Sequence, residues 1–282
     1  MKGEAICHGA ATIVNAIANG KGAAFGIDLI TRAEVDLAPG KGIEVTIENE
    51  EEDTTLVELC VSEVLRRFAP DMGARVRTFS EIPVSRGLKS SSSAANAVVL
   101  ASLDALSIEL DPLETIRIGT RCAVRAGVSV TGAFDDAAAT LLGGVVVTDN
   151  SREEILRRDR LPDGVKVLLH IPEFKIRKGG LPLERIRSLG PLVGMAFDLA
   201  MDGEYYRSMT LNGMCQSAAL GLDQELAVEA LRNGALAAGL SGTGPATAIL
   251  VTEEKVDDLV GSLEAYELRI VDLYHEEVGA SG

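Results

Sequence analysis

Tryptophan is missing from this 282-residue chain and aromatic residues make up only 4% of it. A core with so few large rings must be built from Ala, Val, Leu and Gly, the packing of helices laid on sheets. Cysteine is scarce and scattered: Cys7, Cys60, Cys122 and Cys215 form no Cys-x-x-Cys pair, and His8, His170 and His275 stand apart from one another. That spacing argues against a structural zinc or a disulfide framework. Basic charge is short as well, with 27 Lys and Arg against 42 Asp and Glu, a net charge of −15. Nucleic-acid binders need a basic surface, so that class of partner is not expected. The acidity itself reads as a solubility device, and any anionic substrate must be held locally against the global field. No apolar run is long enough to span a bilayer, and the Ala5–Ala18 stretch is broken by His8 and Asn15 with only Lys2 before it, unlike a signal sequence. A cytoplasmic, reduced protein with neither membrane nor nucleic-acid partner is expected. The sequence leaves its oligomeric state open.

Two phosphate-binding signatures are also missing. No Gly-x-x-x-x-Gly-Lys-[Ser/Thr] occurs, and Lys21-Gly22 and Lys41-Gly42 lack its spacing. No Gly-x-Gly-x-x-Gly follows a strand, which removes support for a dinucleotide fold.

What the chain does have is a mixture of strand and helix patterns in each half, with 46% hydrophobic and 24% charged residues, the composition of a globular protein. Strand-like alternation covers Glu4–His8, Gly22–Leu37, Ile43–Ile47 and Arg75–Phe79, and helical spacing covers Thr54–Phe68. A helix is expected from Ala94, another after Asp111-Pro112, and a short one ending at Leu142 before a buried strand. The charged stretch Ser151–Gly164, with Pro162, is expected to connect two domains, residues 1–160 and 161–282. The second would run strand, basic loop (Lys175–Gly180), helices, then strand, helix, strand. The fold class is therefore α+β.

Chemistry concentrates in three loops. Pro83-Val-Ser-Arg-Gly-Leu-Lys-Ser-Ser-Ser-Ser-Ala-Ala95 runs directly into an apolar helix. Gly87 permits a tight turn and close approach to a ligand, the serines supply hydroxyls, and a helix start favours an anion. Gly132-Ala-Phe-Asp135-Asp136 sets two carboxylates at an expected helix start. One can cap the helix, leaving the other to face a cleft and take a proton. Gly239-Leu-Ser-Gly-Thr-Gly-Pro245 precedes an apolar strand and can aim backbone N–H groups at an anion. Each loop alone is also a common turn; together they fit one phosphoryl-transfer site.

These segments, in this order, resemble the motifs of the GHMP kinases (galacto-, homoserine, mevalonate and phosphomevalonate kinases). Within that superfamily, Thr12–Asp28, Gly87-Leu-Lys-Ser-Ser-Ser-Ser93, Val130–Ala137 and Leu240-Ser-Gly-Thr-Gly-Pro245 are similar to the archaeal-type shikimate kinases. The resemblance implies a two-domain fold, with a ribosomal-protein-S5-like N-terminal domain for nucleotide and phosphate and a ferredoxin-like C-terminal domain closing the cleft. It implies ATP and Mg2+ as cofactors and phosphorylation of a small alcohol, shikimate, in the chorismate route to aromatic amino acids. Another alcohol such as homoserine or mevalonate, or a non-catalytic metabolite binder, is the alternative. Carried onto this chain, the implied nucleotide-binding residues are Pro83, Ser85, Arg86, Gly87, Leu88, Lys89, Ser90, Ser91, Ser92, Ser93, Ala94, Gly242 and Gly244. Asp135 would act on the attacking hydroxyl, Ser91 would be a magnesium ligand, and Thr12, Asn15, Asp136 and Arg125 would lie on the substrate side. One departure stands out. The mevalonate kinase branch has a magnesium-binding glutamate about eleven residues before the catalytic aspartate, whereas this chain reads Cys122-Ala-Val-Arg125 there. Shikimate carries a carboxylate, for which Lys21, Arg125 and Lys178 are the basic candidates.

Overall fold

The computed structural model describes residues 1–40, 42–48, 52–129, 132–176 and 180–275. It opens with a long antiparallel hairpin, β1 (Lys2–Val14) and β2 (Lys21–Pro39). In β2 the buried Leu29, Thr31, Ala33, Val35 and Leu37 alternate with the outward-facing Asp28, Arg32 and Asp36, the pattern of a sheet covered on one face. Near the turn that alternation stops, because Ala10, Ala11, Ala23 and Ala24 are fully buried. A strand covered on both faces carries no period-2 signal. For that reason β1 runs six residues beyond the expected end at His8.

Next come β3 (Ile43–Ile47), α1 (Thr55–Phe68) and β4 (Met72–Ser80), where α1 is the crossover between the parallel pair β3 and β4. Three helices follow: α2 (Ser90–Ala105), α3 (Pro112–Arg125) and α4 (Phe134–Leu142). Then come β5 (Val145–Asp149) and β6 (Glu154–Asp159). The first sheet has the order β3-β4-β2-β5-β6, with β1 on the other side of β2. The charged stretch 151–164, expected to be a connection, contains β6. Its charges sit on an outermost strand, where they oppose unwanted edge pairing.

The second sheet collects β7 (Val165–His170), β8 (Ala237–Leu240), β9 (Thr247–Thr252) and β10 (Leu268–Val271) in the order β10-β7-β9-β8, all antiparallel. Between β7 and β8 lie α5 (Leu183–Ser188), α6 (Gly190–Met201), α7 (Tyr205–Leu220) and α8 (Glu225–Arg232); α9 (Val256–Ser262) joins β9 to β10. Two central strands flanked by the second and fourth give the ferredoxin-like arrangement. The α+β class holds.

One apolar cluster links the sheets, joining Phe25, Ile27 and Val145 to Val167, Leu250 and Met209. After β10 the chain returns to the first sheet: the Tyr274 N–H donates to the Gly26 carbonyl at 3.0 Å, and the Tyr274 ring stacks on His8 at 3.4 Å. Among the described residues no helix is long and apolar enough to cross a membrane.

Candidate active site

Helix α2 begins at Ser90, four residues earlier than the spacing suggested, so the serines form its first turn instead of a loop. Lys89 at the N-cap position has a left-handed backbone (φ 69°), and no side chain caps the helix. The first-turn N–H groups therefore lack the usual intrahelical partners and point with the positive dipole end into open space. That space is a cleft of about 400 Å³. Ser90, Ser91, Ser92 and Ala94 line it, as do Ser85 and Gly87 from the preceding turn.

The third glycine loop docks directly on the serine loop. Ala246 N–H donates to the Arg86 carbonyl at 3.0 Å, and the Ser241 hydroxyl donates to the Gly87 carbonyl at 2.8 Å. Gly87 has φ 91°, and a Cβ there would overlap the Ser241 carbonyl oxygen. Glycine is thus required for both conformation and space. Thr12, at the end of β1, ties the two loops together. Its hydroxyl oxygen accepts from Gly242 N–H at 2.8 Å and from Lys89 Nζ at 2.6 Å. Asn15 Nδ2 donates to the Gly242 carbonyl at 2.8 Å, and Asn15 N–H donates to Asn212 Oδ1 on α7 at 3.1 Å.

The carboxylates enter from the opposite wall. Neither caps α4, since its N-cap residue is Ala133 and no side-chain cap bond forms. Asp136 Oδ1 instead lies 2.9 Å from Lys89 Nζ. Asp135 is 3% exposed and lines the cleft. Its Oδ1 accepts from Asn150 Nδ2 at 2.7 Å, and Asn150 Oδ1 accepts from the Thr148 hydroxyl at 2.7 Å. Burial pushes the Asp135 carboxyl up to about 7, and the Asp136 charge pushes the same way; the Lys89 ammonium and the Asn150 amide pull it down. A carboxylate tuned there is suited to taking a proton near neutral pH.

Several expected nucleotide residues do not face the cleft. Leu88 and Ser93 are fully buried, and the Leu88 carbonyl accepts from Ala10 N–H at 3.3 Å. Pro83, Arg86 and Gly244 are absent from the lining, and Arg86 and Gly244 act through the backbone of the loop junction. Arg125 is displaced from its expected role: it ends α3 with its guanidinium 3.9 Å from Glu63 and does not line the cleft. Lys21 lies over the Phe197 ring, 5.1 Å from its centroid. Lys178 lies outside the described residues, as do Val130 and Thr131 of the aspartate segment.

Other residues that shape the cleft leave no readable motif. Asn150 follows an ordinary buried strand. Gly22 sits on β2 where any Cβ would overlap the Asp135 carboxylate. The far end of the cleft is lined by Thr31, Thr78, Ile47 and Leu56 from the first sheet and α1. It is bridged by the segment after β7, where Lys175 Nζ lies 2.8 Å from Glu52 and Ile176 N–H donates to the Ser85 carbonyl at 3.4 Å.

Comparison with known proteins gives this arrangement a family. The profile described as "GHMP kinases N terminal domain" matches residues 55–144. A protein named shikimate kinase from Methanothrix thermoacetophila is 50% identical over 96% of this chain and 93% of its own length. The chain belongs to the archaeal shikimate kinase family. A second member, from Methanosarcina acetivorans, is 50% identical over 94% of this chain and 90% of that one. The fold extends well beyond the family. The crystal structure of the Methanococcus jannaschii mevalonate kinase superposes with a TM-score of 0.76 at 16% identity, covering 96% of this chain and 98% of that one. As a family member on the GHMP kinase fold, the chain is an ATP-dependent kinase.

Proposed function

We propose that the chain transfers the γ-phosphoryl group of ATP to the 3-hydroxyl of shikimate, with Asp135 as the base. The observation that carries the reading is the convergence on one cleft of the open start of α2, the third glycine loop and a buried carboxylate of raised pKa. The names of the relatives point to shikimate as the acceptor. The acceptor O–H bond breaks with its proton passing to Asp135, the oxygen bonds to the γ-phosphorus, and the bond from that phosphorus to the β-phosphate oxygen breaks to release ADP. Little covalent chemistry is asked of the protein, so rate comes from positioning and charge. Gly87 and the N–H groups of Ser90–Ser92 hold the triphosphate, while Thr12, Asn15 and Asp136 shape the acceptor side. Residues 1–160 carry the phosphate cradle, and residues 161–282 close the cleft over it through Gly242 and Ile176.

Magnesium fits this donor set. Among the described residues no group of three or more His, Cys, Asp or Glu side chains could cage an ion. The Ser91 hydroxyl on the cleft wall would hold a cation that arrives with the phosphates. Bound there, it neutralises phosphate charge.

A coupled ADP-release assay over shikimate, homoserine and mevalonate tests the substrate. Shikimate is expected to be turned over with kcat/KM at least 10-fold above the others, a modest fraction of what hydrogen-bonded recognition can supply. Equal or better turnover of another alcohol defeats the assignment. The same assay reads the base. Because Asp135 must be ionised to accept a proton, kcat/KM should fall as pH drops below about 7, the value to which burial raises it in the free enzyme. An acid limb near 4 would mean that the base is an ordinary exposed carboxylate.

A further inference from the structure

Lys89 occupies a backbone conformation that its own residue type disfavours. Its φ is 69°, in the left-handed region that glycine enters freely and a long side chain enters only against steric strain. Retaining Lys there means that the side chain has work to do. That side chain is only 5% exposed, and Lys89 is the sole cationic residue among the described residues lining the cleft, facing Asp135, Asp136, Glu52 and Asp53. Its ammonium turns across the site to Asp136 Oδ1 at 2.9 Å and Thr12 Oγ1 at 2.6 Å. It also abuts the third glycine loop, where a Cβ on Gly242 would come within 3.0 Å of Nζ. Two of its three protons are thereby assigned.

Resting on the kinase reading above, we propose that Lys89 is a catalytic residue on the acceptor side: Asp136 and Thr12 fix its ammonium so that the third proton meets the phosphoryl group in transit. A negatively charged phosphoryl group must otherwise be transferred beside the carboxylates of Asp135 and Asp136, and a buried, pre-oriented cation is the device that offsets this where charge spreads over the equatorial oxygens. Thr12 serves as its positioning residue, since the Gly242 N–H that holds Thr12 belongs to the loop that shuts the site.

A nucleotide anchor and a transition-state contact separate in the kinetics. Lys89→Met is expected to lower kcat by roughly 10²–10³-fold, as loss of one pre-oriented donor does elsewhere, with the directly measured Kd for ATP changed less than about 3-fold. Lys89→Ala leaves a hole shaped for an alkylammonium, so added n-propylamine should restore kcat saturably while uncharged propanol does not. Lys89→Arg, which cannot reproduce a compact point charge, should recover less than the amine. A rise in ATP Kd that accounts for the whole loss of kcat/KM would overturn the proposal. So would amine rescue of the melting temperature without rescue of kcat, because the lysine would then be only a tie between loops. The comparison uses whichever alcohol the wild-type enzyme phosphorylates, so failure of shikimate as acceptor leaves it readable.

Discussion

Asp135→Asn should lower kcat by about 10²–10⁴-fold, the usual worth of a positioned general base, while ATP affinity stays within a few-fold. The substitution is nearly isosteric, and its carbonyl oxygen can still accept from Asn150 Nδ2, which sits 2.7 Å from the carboxylate. What is lost is the capacity to hold a proton. Stability should move the other way. The carboxyl is raised from 3.8 to about 7 in the folded protein, so its proton favours the native state: that contribution is full below the unfolded value of about 4 and is lost as pH rises through about 7. At pH 8 the native protein carries an ionised group in a buried place, a cost the amide does not share. Asp135→Asn should therefore melt at an equal or higher temperature than wild type at pH 8, with the gap narrowing at pH 5. Full turnover in this variant would take Asp135 out of the reaction, and a clearly lower melting temperature at pH 8 would show that the carboxylate is present for structure.

Opposite signs for rate and stability would mark a functional site, where a charge is held that folding alone would not put there. The same tension decides what could be read from the sequence. Glycines that permit left-handed backbone or close approach leave a visible mark, so Gly87 and Gly242 announced the loops, and adjacent carboxylates in a glycine-rich turn announced Asp135. Their mutual contacts left none. The pairing of Lys89 with Asp136, the grip of Thr12 on both loops and the support of Asp135 by Asn150 join residues distant in sequence, each unremarkable in its own segment. The family resemblance places Thr12 and Asn15 near the acceptor; both line the cleft, and both are also held by hydrogen bonds to the third glycine loop. Arg125 was offered because a substrate carboxylate needs a cation; a glutamate one helix away, on α1, is its neighbour instead. Periodicity failed where burial is two-sided, as in the second half of β1. It also failed at β6, where charge density masked an edge strand.

Gly22→Ala should come next in effect, with kcat lowered by about 10²-fold, the scale of loss that a 1 Å displacement of a catalytic group can produce. Gly22 lies on β2 opposite Thr148 of β5, in a strand that any residue type could join. Its lack of a side chain is explained by Asp135, whose side chain supplies the three nearest atoms to the position a Cβ would occupy. The added methyl group leaves the carboxylate chemically intact and forces it out of its present position. ATP affinity should hold, since the atoms that a Cβ on Gly22 meets first belong to Asp135, and the overpacking should cost about 1–3 kcal/mol of stability. Gly194→Ala in α6 is the matched control: no atom lies within 4 Å of its Cβ position, so turnover should be unchanged and the helix slightly firmer. Set beside Asp135→Asn, the alanine at 22 divides the contribution of the carboxylate into its chemistry and its placement. If Gly22→Ala costs nearly as much as Asp135→Asn, placement dominates. If it costs almost nothing, the carboxylate tolerates displacement, and the tight packing of β2 against α4 serves the fold and not the reaction.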